Sequence, residues 1–106
     1  MAWRASVSRN LQELRIHLCQ KGPDSQGARD FIHSSYSELK KANPKFPFLV
    51  RECSGMKPRL IARYDFGVEH SISLTGKDAN GVDKALEELV QKGESMPRST
   101  ESEGSL

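Results

Sequence analysis

Two cysteines, Cys19 and Cys53, are the residues of this 106-residue chain whose type and spacing could do chemistry. Each ends a short apolar run, and a segment of helix length lies between the two runs. If both runs are strands of one right-handed β-α-β crossover, the cysteines lie at the same carboxyl edge of a sheet, where open α/β sheets usually place their chemistry. Parallel neighbours are about 4.8 Å apart, so the two thiols would lie close together in the correct register.

Three roles fit this cysteine pair: a structural or redox-responsive pair, two inert buried thiols, or part of a catalytic site. A thiol-disulfide oxidoreductase normally carries Cys-x-x-Cys at the start of its first helix, where the helix dipole lowers the thiol pKa. Here Gly22 stands where the second cysteine is needed. The three histidines lack metal-site spacing, and the sequence has no nucleophile elbow and no phosphate loop. We therefore predict no catalytic residue, no metal and no cofactor.

The elements that must position the cysteines follow in the order β-α-β-β-β-α. Alternating apolar residues predict a strand over 14–18 and a hairpin over 59–66 and 68–74, and a short apolar run predicts a further strand over 48–52. Apolar residues at i, i+3 and i+4 spacing predict a helix before Asn43-Pro44 and another that ends at Gly93. We predict an α/β fold of the thioredoxin-like kind, with a four-stranded mixed sheet.

Several local signals refine this prediction. Asp24 or Ser25 is expected to cap the first helix, and Asp78 the last one. Alternation places Phe66 on the same face of the third strand as Leu60, Ala62 and Tyr64. Pro58 is either a cis proline that faces the cysteines or a trans proline that simply begins the third strand.

The chain divides into a leader over 1–12, a domain over 13–93, and a Ser- and Glu-rich tail over 94–106 that we expect to be disordered. The leader contains Arg4 and Arg9 but no acidic residue, and it is helix-prone. This composition is typical of a mitochondrial import signal and equally of a simple helical leader. No apolar run approaches the roughly 20 residues that cross a bilayer.

The charge balance is mildly basic. Residues 1–93 hold 15 basic residues against 11 acidic ones, a net charge of +4. Such a surface is either simply solvated or docks onto an acidic protein surface or RNA phosphates. The docking candidates are two groups, one at the end of the first helix and one along the third strand. They are Lys40, Lys41, Lys45, Arg59, Ile61, Arg63 and Tyr64.

Four motifs together resemble one family. They are Leu14-Arg15-Ile16-His17-Leu18-Cys19-Gln20, Lys40-Lys41-Ala42-Asn43-Pro44, Arg51-Glu52-Cys53-Ser54-Gly55 and Ala62-Arg63-Tyr64-x-x-Gly67. The family is the small thioredoxin-like accessory subunit of mitochondrial respiratory complex I (NADH:ubiquinone oxidoreductase), and the resemblance covers about residues 10–93. Certain mitochondrial ribosomal proteins share its fold.

The resemblance implies a non-catalytic subunit that supports assembly and stability of the matrix arm of complex I. It also implies contact chiefly with the largest iron–sulfur subunit, no cofactor or direct nucleic-acid contact, and a peripheral position on the matrix side of the mitochondrial inner membrane. Cys19 and Cys53 fall on the family's two cysteine positions, which can pair as a disulfide. Position 61 is Ile where the family often has Trp. A mitochondrial ribosomal protein and an independent thiol oxidoreductase that uses Cys19 are the alternatives.

Overall fold

A computed structural model describes residues 2–96. Its principal elements are four helices and four strands in mixed order. They are α1 (Ala2–Ala5), α2 (Val7–Asn10), β1 (Glu13–Leu18), α3 (Gln26–Ala42), β2 (Phe48–Glu52), β3 (Arg59–Arg63), β4 (Glu69–Ser73) and α4 (Ala79–Glu94). Single turns of 3-10 helix over Pro23–Ser25 and Asp65–Gly67 precede α3 and join β3 to β4. After residue 12 the principal elements follow one another as β1, α3, β2, β3, β4 and α4.

The four strands form one mixed sheet in the order β2-β1-β3-β4. β1 pairs with β2 in parallel and with β3 in antiparallel, and β3 pairs with β4 in antiparallel. In this register Ile16 lies opposite Val50 on one side and opposite Leu60 on the other. The predicted β-α-β crossover and hairpin are therefore both present, and they join through the β1–β3 ladder.

The hydrophobic core lies on one face of this sheet. Side chains alternate between the two faces of a strand, and the even-numbered residues of β1 and β3 are the buried ones. They pack with apolar residues of α3 and α4, among them Phe31, Leu39 and Leu86. The even-numbered face is therefore the one that the helices cover.

The helix caps agree with the sequence prediction for α4 only. Asp78 caps α4, since its side chain accepts a hydrogen bond of 2.8 Å from the amide of Gly81. Ser25 precedes α3, but its hydroxyl accepts from the amide of Cys19 (3.0 Å) instead of capping the helix, and Asp24 does not cap it either. The predicted cap of α3 is wrong because the loop after β1 uses that hydroxyl.

The hairpin strands are shorter than the alternation predicts. β3 ends at Arg63, and Phe66 is 64% exposed with a left-handed backbone (φ 65°), so the prediction that Phe66 belongs to this strand is wrong. Gly67 also has a positive φ (75°), and Val68 is 39% exposed. Two successive residues in the left-handed region turn the chain out of the strand before Phe66 can reach the core.

The predicted leader packs against the core. Val7 and Leu11 are buried, and the guanidinium of Arg4 pairs with Asp83 (2.6 Å) and Glu38 (3.1 Å). α1 and α2 confirm its helical character. At the other end of the chain, α4 continues to Glu94. Residues 97–106 of the predicted tail lie outside the described residues.

Asn43 holds the leader in place. Its side-chain amide donates to the carbonyls of Arg4 (2.8 Å) and Leu39 (3.0 Å), and its side-chain oxygen accepts from the amide of Ser8 (3.0 Å). The side chain of Asn10 also donates to the carbonyl of Val90 (3.0 Å). The sequence indicated Asn43 only as the end of a helix, so its role as a bridge to the leader was missed.

Candidate functional site: the cysteine edge and the open sheet face

Cys19 and Cys53 follow β1 and β2 at the same edge of the sheet, as predicted. The amide of Cys53 donates to the carbonyl of Leu18 (3.1 Å), which is the last bond of the parallel pair. Both cysteines are free and are not at disulfide distance, so the expected disulfide is absent. The segments that follow β1 and β2 diverge here. Cys19 turns toward Ser25, whereas Cys53 begins a turn in which its carbonyl accepts a hydrogen bond from the amide of Met56 (3.2 Å).

The Cys19 thiol lies in a polarising environment. Hydrogen bonding from the backbone of Lys21, then from Gly55 and Gly22, lowers the pKa of this thiol below its ordinary 9.0, and the nearby Arg29 charge acts in the same direction. The guanidinium of Arg29 also donates to the carbonyl of Cys19 (2.8 Å). This geometry favours a reactive thiolate, but a second thiol within bonding distance is lacking among residues 2–96.

Pro58 follows a trans peptide bond, since the described part of the chain contains no cis bond. Its carbonyl accepts from the amide of Leu74 (3.0 Å), which starts the β3–β4 hairpin. Of the two predicted roles for Pro58, the structure has the strand-starting one.

The odd-numbered residues of the four strands lie on the face of the sheet opposite the helices, and none of them is buried. We call this surface the basic face. It consists of Glu13, Arg15, His17, Leu49, Arg51, Arg59, Ile61, Arg63, Glu69, Ser71 and Ser73.

The strand register arranges the basic face in rows. At the cysteine end, His17 of β1 lies between Arg51 of β2 and Arg59 of β3. We call these three residues the cationic row. In the middle row, Arg15 lies between two apolar side chains, Leu49 and Ile61.

The far row of the basic face carries both charges. Arg63 lies between Glu13 and Glu69, and Glu13 pairs with Arg15 at 2.8 Å. Beside this row, an open groove of about 470 Å³ is lined by Gln12, Glu13, Arg63 and Phe66, among others. The face is therefore basic at one end, apolar in the middle and mixed at the other end.

The cationic row affects the protonation of its histidine. Burial lowers the pKa of His17 below its ordinary 6.5, and the charges of Arg15, Arg51 and Arg59 lower it further. His17 is therefore neutral at neutral pH, and the two flanking arginines carry the positive charge of the row.

The structure divides the predicted docking residues into three groups. Arg59, Ile61 and Arg63 lie together on the basic face. The prediction that Tyr64 is a docking residue is wrong. Tyr64 is 2% exposed, its hydroxyl donates to the carbonyl of Leu89 (2.7 Å), and burial raises its pKa to about 12. Tyr64 begins the turn out of β3 on the covered side, so it is a core residue.

The lysines of the docking prediction lie elsewhere. Lys40 donates to the carbonyl of Phe46 (2.9 Å) at the end of α3, and Lys41 and Lys45 are exposed beside it. Lys45 lines a separate groove next to Ser8 and Asn43. This cluster does not join the basic face.

Arg15, Arg51 and His17 were missed as site residues. The signal was present in the parallel pairing of β1 with β2. That pairing aligns each residue of β1 with the one 34 positions later, and so brings the odd-numbered cations of both strands to one face.

The fold and the site define a small mixed α/β protein with one sheet face covered by helices and the other open and basic. None of the helices within residues 2–96 has the length and apolar character needed to span a membrane. In the same part of the chain, no group of three His, Cys, Asp or Glu side chains could hold a metal ion.

Comparison with known proteins gives the family. Residues 28–79 match the family described as "Mitochondrial ribosomal protein L51 / S25 / CI-B8 domain". The chain is 50% identical over 93 residues to "NADH dehydrogenase [ubiquinone] 1 alpha subcomplex subunit 2" of Arabidopsis thaliana, a match that covers 88% of this chain and 96% of the relative. It is 51% identical over 80 residues to the protein of the same name from Mus musculus, covering 76% and 81%.

A fungal relative is more distant. The "NADH-ubiquinone oxidoreductase 10.5 kDa subunit" of Neurospora crassa is 36% identical over 91 residues, which cover 86% of this chain and 97% of that protein. The chain belongs to the family of these alpha subcomplex subunit 2 proteins, and the resemblance found in the sequence is confirmed.

Proposed function

We propose that this chain is a non-catalytic accessory subunit of mitochondrial respiratory complex I, the NADH:ubiquinone oxidoreductase, and that it supports assembly and stability of the matrix arm. The observation that carries this proposal is the identity of 50% over nearly the full length of a relative whose name makes it a subunit of NADH dehydrogenase. Its partners are other subunits of that complex, chiefly the largest iron–sulfur subunit. It acts at the matrix side of the inner membrane as a peripheral protein, without a cofactor or direct contact with nucleic acid.

The fold supports the thioredoxin-like part of this proposal. β1, β2 and β4 run in one direction and β3 runs opposite to them, with β1 and β3 in the centre of the sheet. A β-α-β crossover followed by a hairpin and a closing helix gives this arrangement with one helix fewer than the full thioredoxin plan. The missing helix is the one between β2 and β3, where the chain has only a short turn.

The leader is compatible with import followed by retention. Its acid-free, Arg-containing composition is that of an import signal, yet Val7 and Leu11 are part of the core. Removal of the leader would expose the apolar surface that these residues cover. We therefore propose that it remains attached in the mature protein.

A mitochondrial ribosomal protein is the second candidate. It is favoured by the description of the matching family, which includes ribosomal proteins, and by the arginines of the basic face. Glu13 and Glu69 on the same face count against an RNA surface, because phosphates and carboxylates repel one another.

A redox role for Cys19 is the third candidate. Its lowered pKa favours it, but Cys53 would have to move before the two sulfurs could bond. A purified chain that reduces a test disulfide, with activity lost in Cys19→Ser, would support this role. Thiol counting with maleimide should find two reactive thiols with and without reductant, and a count of zero without reductant would show that the pair closes.

The proposed function is tested by native gel electrophoresis. Mitochondria that carry the tagged chain are solubilised in mild detergent, and the gel is stained for NADH-dehydrogenase activity. We expect the tag to comigrate with that activity. Comigration with ribosomal subunits would favour the second candidate, and migration as a free small protein would contradict both assembly proposals.

A further inference from the structure

The basic face is a large surface, and no residue among 4–96 covers it. All its members are at least partly exposed, while on the other face the residues of the two central strands, β1 and β3, are buried under α3 and α4. We propose that the basic face is the surface through which the chain docks in its complex, onto a protein surface that presents carboxylates opposite Arg51 and Arg59. This inference rests on the proposed function and adds the docking surface and the chemistry of the partner.

The middle of the basic face has the composition of a protein interface. Leu49 is 36% exposed, Ile61 is partly exposed, and Arg15 lies between them. Interfaces typically have an apolar centre, are enriched in arginine, and have a polar rim. Burial of Leu49 and Ile61 against a partner would remove apolar surface from water.

The cationic row determines the charge of the partner. Neighbouring strands lie about 4.7–4.9 Å apart, and Arg51 and Arg59 are the register partners of His17 on its two sides, so both lie close to it. Neither arginine forms an ion pair with any residue in 4–96. Two guanidinium groups that repel each other and lack an intramolecular carboxylate are matched by carboxylates from outside, which arginine binds through two parallel hydrogen bonds.

The far row distinguishes a protein from a nucleic acid. Arg63 is flanked by Glu13 and Glu69, so this end of the face would repel a phosphate backbone. A folded protein can place carboxylates at one end and other groups at the other end. The uneven charge of the basic face therefore also fixes the orientation of the partner.

Phe66 lies at the same end as the far row and supplies an apolar anchor. Its ring is 64% exposed, its backbone has a φ of 65°, and it lines the groove beside Arg63. A non-glycine residue in the left-handed region stores strain, which is commonly found at functional positions. We assign Phe66 to the docking surface together with the basic face.

The test uses charge reversal with a matched control. The chain in mitochondria is replaced by tagged Arg51→Glu/Arg59→Glu, or by Lys77→Glu/Lys84→Glu, which makes the same change of charge at two exposed lysines, one just before α4 and one within it. We expect the arginine pair to lower comigration with NADH-dehydrogenase activity by about tenfold or more, and the lysine pair to leave it unchanged. The milder Arg51→Gln/Arg59→Gln should give a smaller loss.

The folding of each variant is checked by thermal unfolding of the purified chain. If Arg51→Glu/Arg59→Glu unfolds early, the Gln pair decides the result. If the wild type comigrates and the arginine variants comigrate equally well, the docking surface is overturned while the proposed function stands. If the wild type itself does not comigrate, the proposed function and this inference both fall.

Two further outcomes would also overturn the inference. Comigration that RNase abolishes would assign the basic face to RNA. A purified wild-type chain that runs as a dimer on size exclusion, when Arg51→Glu/Arg59→Glu runs as a monomer, would assign the face to a second copy of this chain.

Discussion

The two faces of the sheet differ although the same strands build them. In β3, Leu60 is fully buried under the helices, whereas the next residue, Ile61, lies on the basic face. The covered face is apolar and is closed further by the leader, whereas the open face carries four arginines against two glutamates. Because strand residues alternate between faces, neighbouring positions serve stability and docking separately.

This separation follows from where the helices lie. α3 and α4 pack against each other and against the even-numbered face, and α1 and α2 add Val7 and Arg4 to the same side. A sheet with helices on one side only leaves the other side available to a partner. Mutations on the covered face should therefore lower the stability of the fold, and mutations on the basic face should weaken docking.

The largest expected effect tests the comparison at two adjacent residues. Leu60→Ala should lower the free energy of unfolding by about 2–5 kcal/mol, because it leaves a cavity in a packed core. Ile61→Ala, one residue further, should cost less than about 1 kcal/mol, since its side chain is already in contact with water. Urea unfolding of both variants measures the difference, and equal losses would contradict the assignment of the two faces.

The next effect tests the contact between the leader and the covered face. Asn43→Ala should cost about 1–3 kcal/mol, because it removes three hydrogen bonds and leaves buried partners unsatisfied. Asn80→Ala, at an exposed position in the first turn of α4, is the control and should stay within about 0.5 kcal/mol. Equal losses of unfolding free energy in Asn43→Ala and Asn80→Ala would contradict the packing of the leader against the covered face.

Phe66 gives a test in which stability and docking change differently. Phe66→Gly places a glycine where φ is 65°, so relief of the left-handed strain offsets the lost ring and stability should stay within about 1 kcal/mol of wild type. Comigration with NADH-dehydrogenase activity should nevertheless fall. Phe66→Asn, which also tolerates this conformation, should behave in the same way, and full comigration of both variants would remove Phe66 from the docking surface.

The smallest effect concerns the pH dependence of the basic face. Because the pKa of His17 is lowered in the folded state, the unfolded state takes up this proton first as the pH falls below 6.5. The contribution of His17 to stability is therefore fully present above pH 6.5 and is lost as the pH falls toward the folded-state pKa. Urea unfolding at a series of pH values should show a weaker acid loss in His17→Gln than in wild type.

A second variant sharpens this prediction. Arg51→Gln removes one of the charges that lower the pKa of His17, so NMR titration should find that pKa raised relative to wild type. An unchanged titration of His17 in this variant would contradict the proximity of the two residues.

The sequence predicted most of the fold because local patterns agreed with it. Alternation indicated β1, β3 and β4, a short apolar run indicated β2, the apolar stripes indicated α3 and α4, and Asp78 was correctly expected to cap α4. It failed at Phe66, where alternation continues in the sequence but the backbone turns into the left-handed region. The left-handed backbone conformation at Phe66 depends on the whole hairpin, so the pattern of apolar and polar side chains does not predict it.

The site was predicted only in part. Arg59, Ile61 and Arg63 were identified from one strand, but the cationic row needs the register of three strands. The cysteines were correctly placed at one edge of the sheet. Their separation depends on turns after Leu18 and Glu52, including the bond from the amide of Cys19 to Ser25, which spacing along the chain does not specify.

The most direct test of the basic face as the docking surface is its accessibility in the assembled complex. Ser71→Cys places a thiol on the exposed part of the basic face, and Ser37→Cys places one on the exposed side of α3. Maleimide labelling, located by mass spectrometry, should modify both positions equally in the free chain. In the purified complex, labelling at position 71 should become much slower while labelling at position 37 stays unchanged. Equal labelling of position 71 in the free chain and in the complex would contradict the account.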